Sequence, residues 1–332
     1  MLIALVAGVG DAAAAAPAGP RLAVAQVGPS FLGAKVITVG PTGADRRILA
    51  GGSFKRPPMP VGRVAWSPDG SRLVFAAMTR PPARFPILKQ LFLLAADGGK
   101  PRPLKGTEGG VSAVFSPDGQ VIAFGKERAV FKRRGDRLQF YSSTSIWLFD
   151  IQSGKSRQLT PWRNGLRQEP SSFSPDGSVI ASTRTIDEQR PEAIAVKLDA
   201  TGSSALVPGS AEDPVFSPDG SRIAFLRGPQ RGFGKRGDLY TARPGGEDLR
   251  RLTNTPTLNE TFPTWDPSGL RLAFGANGVI SSVDELFSVS GGIRAINADG
   301  TCATDLLEYD GAFLAAPAWQ PGPGREAGPI SC

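Results

Sequence analysis

One strand–turn–strand motif recurs six times along this chain, and that recurrence limits the possible folds more than any other feature of its 332 residues. Five copies are nearly complete: Val64–Phe75 (VAWSPDGSRLVF), Ala113–Phe124 (AVFSPDGQVIAF), Ser171–Ser182 (SSFSPDGSVIAS), Pro214–Phe225 (PVFSPDGSRIAF) and Pro263–Phe274 (PTWDPSGLRLAF). The sixth, Pro317-Ala-Trp-Gln-Pro321, holds only a first strand. The motif prolines stand at 68, 117, 175, 218, 267 and 321, at intervals of 49, 58, 43, 49 and 54 residues. That spacing accommodates four short strands and their turns per copy, the content of a propeller blade.

The local chemistry agrees. An aromatic residue (Trp66, Phe115, Phe173, Phe216, Trp265 or Trp319) ends each first strand. In the Ser-Pro-Asp-Gly turn, proline presets φ, aspartate bonds its own backbone, and glycine takes the left-handed position. A second strand rich in β-formers follows, as in Arg222-Ile-Ala-Phe225. Two more strands flank a glycine-rich turn, as in 91–104, 146–159 and 239–252. Each copy thus reads as strands A to D of a four-stranded antiparallel blade, with A innermost. The sixth copy's missing strands B, C and D stand at the other end of the chain, at Arg21–Val27, Lys35–Val39 and Arg47–Ala50. The predicted fold is all-β: a six-bladed β-propeller over 19–321, closed by pairing N-terminal strands B-C-D with C-terminal strand A, then a tail over 322–332.

Residues 1–18 read as a signal-like segment, in which the apolar run Leu2–Val9 precedes an alanine tract offering A-x-A cleavage sites. No Lys or Arg precedes that run, and it is too short to span a bilayer. The mature chain is expected to be exported, periplasmic or secreted, without a membrane span and as a monomer. The net charge of +8 fits an anionic partner or a solubilising surface. Histidine is absent, which removes the commonest general base, the usual catalytic triad and most zinc or iron sites.

The repeat PxWSPDGxxIAF, followed by a basic-Leu-Thr element, resembles the propeller of the TolB family, the periplasmic component of the Tol–Pal envelope system. Val215–Phe225 and Leu249-Arg-Arg-Leu-Thr253 carry the resemblance, which covers about residues 21–321. TolB proteins place an α/β domain before the propeller, and the resemblance here is to the propeller alone. Prolyl-oligopeptidase-type peptidases share the repeat but add a hydrolase domain. Oligogalacturonate lyases look similar and build their metal site on histidine, which this sequence lacks.

On a propeller the A–B and C–D turns share one face, and the B–C and D–A loops share the other. The second set is longer and more varied here, so binding is expected there. Three B–C loops are basic and aromatic: 79–86 with Arg80, Arg84 and Phe85; 126–137 with Phe131, Lys132, Arg133 and Arg134; and 227–236 with Phe233, Lys235 and Arg236. Cations interleaved with aromatic faces suit an anionic polymer, and the plain alternative is a solvated basic face. Export weighs against nucleic acid and favours a protein or an acidic envelope polymer. In the D–A loops, Glu108, Glu169, Glu212 with Asp213, Glu260 and Asp310 precede strand A in five of the six copies. A ring of such carboxylates at the channel mouth suits a cation or the basic end of a peptide, the alternative being ordinary loop acids. The motif aspartates Asp69, Asp118, Asp176 and Asp219 read as turn formers.

Cys302 and Cys332, the only cysteines, read as a disulfide in an exported protein. The bond would close a loop of about 30 residues and contribute about 3–4 kcal/mol in the chain-entropy model. Gly154-Lys155-Ser156 lacks the upstream glycine of a phosphate loop, and no G-x-S-x-G elbow occurs. The expected function is a non-enzymatic binding module that engages a protein or anionic envelope polymer through its long-loop face. No cofactor is called for except a cation at the channel mouth. The alternative is a hydrolase or lyase with paired carboxylates as acid and base.

Overall fold

Strands with runs of consecutive buried residues account for nearly all of the regular structure. The computed structural model describes residues 20–28, 33–53, 55–79, 89–134, 137–186, 190–228, 237–278, 291–309, 316–322 and 328–332, side chains excepted at 129–141 and 309. Among them there is no helix, and so none long and apolar enough to cross a membrane.

The strands run in chain order. β1 (Leu22–Val27), β2 (Ala34–Val39) and β3 (Arg47–Gly52) come first. β4 (Met59–Trp66), β5 (Arg72–Met78), β6 (Lys89–Ala95) and β7 (Arg102–Pro103) hold the first motif copy. Next are β8 (Gly110–Phe115), β9 (Val121–Arg134), β10 (Arg137–Asp150) and β11 (Lys155–Gln158), then β12 (Leu166–Phe173), β13 (Val179–Ile186), β14 (Glu192–Lys197) and β15 (Ser203–Ala205). β16 (Glu212–Phe216), β17 (Ile223–Arg227), β18 (Asp238–Ala242) and β19 (Arg250–Arg251) follow. The last group is β20 (Leu258–Trp265), β21 (Arg271–Gly278), β22 (Gly291–Asn297) and β23 (Thr304–Tyr309), and β24 (Pro317–Trp319) ends the chain's strands.

Four sheets have four strands each, in the orders β24-β1-β2-β3, β4-β5-β6-β7, β16-β17-β18-β19 and β20-β21-β22-β23. A fifth sheet has eight, and its two antiparallel halves, β8 to β11 and β12 to β15, meet through one parallel bridge, Thr144 to Arg167. The inner strands β4, β8, β12, β16 and β20 each pack on the next, and β24 packs on both β20 and β4. The ring closes as the sequence predicts: β24 pairs antiparallel with β1, Leu22 opposite Trp319 and Val24 opposite Pro317. The architecture is that of an all-β propeller.

The core lies between sheets rather than within one. Ala23, Ala25 and Val36 of the closing sheet pack with Val64, Trp66, Leu73 and Phe75 of the next. Phe75, Phe124, Phe225 and Phe274, the last residues of four motif copies, are fully buried. The third copy ends instead in Ser182, whose buried hydroxyl donates to the Glu169 carbonyl at 2.9 Å. Indole N–H groups stitch neighbouring sheets together: Trp66 donates to the Ala318 carbonyl at 3.0 Å and Trp265 to that of Val215 at 3.2 Å.

The segment 126–137 departs from its reading as a loop. β9 and β10 run on as a paired ribbon to Arg134 opposite Arg137. Val130, Phe131, Phe140 and Tyr141 are strong β-formers, and their pairing extends strands B and C instead of breaking them.

Candidate functional site

Five of the inner strands, β4, β8, β12, β16 and β20, carry an irregularity in their pairing. Register slips between Val61 and Val64, Val111 and Val114, Pro170 and Ser172, Glu212 and Val215, and Thr261 and Thr264. These are β-bulges, which bend a strand and re-aim its side chains. Three bulge residues, Ser112, Asp213 and Phe262, are non-glycines with φ of 48°, 50° and 51°. Left-handed non-glycine backbone costs on the order of 1–3 kcal/mol and gathers at functional sites. Each stands five residues before its motif proline, so the strain recurs at one position of the repeat.

The bulges place polar side chains in the channel, where they meet across it. Arg63, with 8% of its side chain exposed, reaches from β4 to two other sheets. Its Nη2 donates to Asp213 Oδ1 at 2.8 Å and its Nη1 to the Ser171 carbonyl at 3.1 Å. The guanidinium lies 5.1 Å from the centroid of the Phe262 ring. The Asp213 amide donates to Thr183 Oγ1 at 2.8 Å, and Asp213 Oδ2 accepts from the Phe262 amide at 3.4 Å. Burial pushes the Asp213 carboxyl above the usual carboxylate range; the charge of Arg63 opposes this and that of Glu169 adds to it.

Beside this network a cavity of about 290 Å³ opens on the long-loop side. Val27, Val61, Ala76, Met78, Val111 and Phe262 supply apolar wall, and Arg63, Lys89, Glu127, Arg167 and Glu169 supply charge. Lys89 Nζ pairs with Glu127 Oε2 at 2.8 Å, and Ser142 donates to Glu127 Oε1 at 2.9 Å. Burial would raise the Glu127 carboxyl, but Lys89, Ser142 and Arg167 outweigh it and hold the group below the usual range. Arg167 pairs with Glu169 Oε1 at 2.7 Å, and Ser112 donates to Glu169 Oε2 at 3.1 Å.

No protein-family model matches the chain, and no curated protein matches it. Solved structures do. TolB from Acinetobacter baumannii is 18% identical with a TM-score of 0.66, over 91% of this chain and 67% of that one. A putative TolB from Agrobacterium tumefaciens is 19% identical with a TM-score of 0.62, over 91% and 99%. A chain of the nidogen/laminin complex is 12% identical with a TM-score of 0.57, over 91% and 98%. The fold is a TolB-like β-propeller. At these identities the likeness concerns the fold alone.

The acids expected to ring the mouth of this TolB-like propeller go to different places. Glu169 lines the cavity and Asp213 faces Arg63. Glu260 is 2% exposed and accepts from the hydroxyls of Thr253 and Thr255, both at 2.7 Å, in the link from the preceding sheet, where Thr253 Oγ1 also accepts from the Leu239 amide of β18. Glu108 is exposed in its turn and accepts from the Gly106 amide at 3.1 Å. Glu212 is half-buried at the start of β16. Among the described residues no group of three or more metal-ligating side chains gathers. Asp310, Arg80, Arg84, Lys235 and Arg236 lie outside the described residues, as do the side chains of Lys132, Arg133 and Arg134. The backbone of those last three lies in β9, opposite Gln139, Leu138 and Arg137.

Sequence reasoning passed over Arg63, Lys89, Ser112, Arg167 and Phe262 because it looked for function in loops, and over Glu127 because only the cations and the aromatic residue of 126–137 were weighed. One signal was present: Gly62-Arg63 interrupts the apolar run from Val61 to Val64 in a strand that otherwise faces core. Cys302 and Cys332 are joined as expected, with Cα atoms 5.0 Å apart.

Proposed function

We propose that this chain is an exported binding module that holds a segment of a partner protein at the long-loop mouth of its channel. The eight-stranded sheet counts as two blades in this reading, giving six around the ring. The observation that carries it is the cavity beside Arg63, whose walls are apolar and whose carboxylates, Glu127 and Glu169, are each ion-paired to a cation. An apolar hollow with a few fixed polar groups is built to bind. Export is supported by the disulfide and the signal-like segment at 1–18. The basic segments carrying Arg80, Arg84, Lys132, Arg133, Arg134, Lys235 and Arg236, which the sequence pattern assigns to the B–C connections, would in this reading steer an acidic partner or anionic envelope polymer toward the mouth.

A hydrolase or lyase is the second reading, favoured by Asp213, which burial and the nearby Glu169 push toward its protonated form. Both carboxylates are engaged by arginine, which favours binding over proton transfer. A cation at the mouth would compete with the same two arginines.

Photo-crosslinking tests the module reading. A benzophenone side chain at Glu108, exposed in the D–A turn beside the mouth and outside the cavity lining, is expected to capture a discrete partner from envelope extract. The same group at Ser221, on the tight-turn face, is expected to capture none. Capture from Ser221 and not from Glu108 would place the working surface on the opposite face. Asp213→Asn should leave capture intact; a substrate-trapping effect in that variant would favour the enzyme instead.

A further inference from the structure

The ribbon of β9 and β10 extends well past the blade that carries it. β8 pairs with β9 no further than Lys126, and β11 with β10 no further than Trp147. The two strands then continue as a pair for seven rows, from Arg128 opposite Ser143 to Arg134 opposite Arg137, or about 20 Å. Contacts at its base fix the two faces. Ser142 donates to Glu127, so both share the face on which Glu127 and Thr144 line the cavity. On the other face, Lys126 Nζ lies 4.5 Å from the centroid of the Trp147 ring, and the Trp147 indole donates to Ser145 at 2.9 Å. Residues alternate along a strand and opposed residues share a face, so the register carries both faces outward. The first continues as Ala129, Phe131 and Arg133 opposite Ser142, Phe140 and Leu138. The second continues as Arg128, Val130, Lys132 and Arg134 opposite Ser143, Tyr141, Gln139 and Arg137.

One face of the ribbon is therefore mainly apolar, with an aromatic pair, and the other holds four cations. The seven rows carry five cations and no carboxylate, and Arg134 stands directly opposite Arg137. Like charges opposed across a ladder destabilise it, and a two-stranded ribbon by itself is marginal in water. Countercharge on one face and apolar cover on the other would relieve both. A soluble polyanion supplies only the countercharge. The boundary of an anionic bilayer supplies both, because an amphipathic element seated there meets acyl chains on one side and lipid phosphates on the other. We infer that the β9–β10 ribbon docks this chain on an anionic lipid surface, with the face of Phe131 and Phe140 toward the acyl chains and the face of Lys132, Arg134 and Arg137 among the headgroups. Docking of this kind needs no membrane-spanning segment and does not depend on what the cavity holds.

Vesicle flotation with the full chain tests the docking, using phosphatidylcholine alone and an equal mixture of phosphatidylcholine and phosphatidylglycerol. Binding to the mixture is expected to be tighter by about tenfold or more, and to weaken as salt rises. Lys132→Gln with Arg134→Gln and Arg137→Gln is expected to lose about tenfold in affinity for the mixture. Lys100→Gln with Arg102→Gln and Lys105→Gln removes the same charge from exposed positions in and beside β7, and is expected to lose far less. Phe131→Ser with Phe140→Ser should weaken binding as well, whereas Phe131→Trp, a residue suited to the lipid interface, should strengthen it. Thermal unfolding checks that each variant is folded. Equal binding to the two vesicles, no binding to either, or equal losses from the two triple variants would overturn the inference. Displacement from vesicles by polyglutamate, with binding unchanged in both phenylalanine variants, would overturn it in favour of a soluble polyanion or an acidic protein. If vesicles fail while Glu108 still captures a partner, the ribbon loses its lipid role and the module stands; vesicle binding without capture gives the reverse.

Discussion

At Asp266 and Ser268 the repeat exchanges two residues and keeps one hydrogen bond. In the fourth copy Ser217 Oγ donates to Asp219 Oδ1 at 2.6 Å and accepts from the Arg222 amide at 3.0 Å. In the fifth, Ser268 Oγ donates to Asp266 Oδ2 at 2.7 Å, and Asp266 Oδ1 accepts from the Arg271 amide at 3.0 Å. The turn survives, but the carboxylate moves from an exposed position to a fully buried one. Arg271, 7% exposed, stands 3.8 Å away over the Trp319 ring and supplies the countercharge. Asp266→Ser removes the carboxylate that Arg271 balances and is expected to lower stability by about 3 kcal/mol in urea unfolding, since it strands a buried cation. Adding Ser268→Asp rebuilds the turn of the other copies but leaves Arg271 unmatched. Adding Arg271→Val, the residue type at Val121 and Val179, is expected to recover most of the loss. Full recovery by the first two changes alone would show that the Asp266–Arg271 pair adds nothing. Glu260 offers a second test at this scale. Burial raises its carboxyl above the ordinary range, opposed by the Thr253 and Thr255 hydroxyls. The folded state then holds the proton more tightly than the unfolded one, so this group's contribution to stability falls as pH rises through the raised value. Glu260→Gln has no such slope. Wild type and variant are expected to match near pH 4, and the variant to be the more stable at pH 7.5; parallel stability profiles between those limits would refute the assignment.

The motif turn does more than reverse the chain. Pro175 packs against Gly220 of the next copy, and a Cβ built at Gly220 would lie 3.2 Å from Pro175 Cδ. The same proline-to-glycine contact recurs at Pro68 with Gly119, Pro117 with Gly177, and Pro218 with Gly269. Each of these turns therefore docks on its neighbour; at Gly220, where a Cβ would be tighter than the ordinary contact it would make at Gly119, Gly177 or Gly269, the glycine serves space as well as its φ of 71°. Gly154 separates the two demands, because it has φ of 67° and open space around a Cβ. Gly154→Ala is expected to cost about 1 kcal/mol from the backbone alone. Gly220→Ala is expected to cost more, about 2 kcal/mol, with the excess lost when Pro175 is also made alanine; equal costs for the two glycines would remove the packing role. This level explains what the sequence revealed. Turn chemistry and runs of β-formers act over a few residues, so β1 and β2 fall within a residue of their expected bounds. The candidate site depends on bulges that bring Arg63 to Asp213 across 150 residues of chain, a juxtaposition no local pattern encodes. Sequence alone placed the acids by loop; the folded chain turns Glu260 back onto the connection from the preceding sheet and sends Asp213 to Arg63 of β4.

For the molecule as a whole, the weak point of a ring is its seam. Here β24 contributes only three residues to the closing sheet, so little hydrogen bonding holds the two ends of the chain together. The tail that follows is anchored next to it. Asn297 Nδ2 donates to the Ile330 carbonyl at 3.0 Å and Asn297 Oδ1 accepts from its amide at 2.7 Å. Ile330 packs on a cluster with Leu22, Val24 and Trp319, which straddles the seam, and Cys332 is bonded to Cys302 beyond the turn after β22. The disulfide closes a loop spanning 30 residues that contains β24, so it restricts the separation of β24 from β23 in the open chain. Chain entropy sets the stabilisation at about 3–4 kcal/mol. Cys302→Ala with Cys332→Ala, or the wild type under reductant, is expected to lose that amount in urea unfolding. Hydrogen exchange decides where the loss acts. If the bond guards the seam, amides of Leu22–Val27 exchange faster in the double variant while those of β16 and β17 do not, because local opening of the ring precedes global unfolding. If it merely tethers the tail, only residues 328–332 gain exchange and the seam's protection is unchanged. Selective loss at β1 would make the two cysteines part of how the propeller closes.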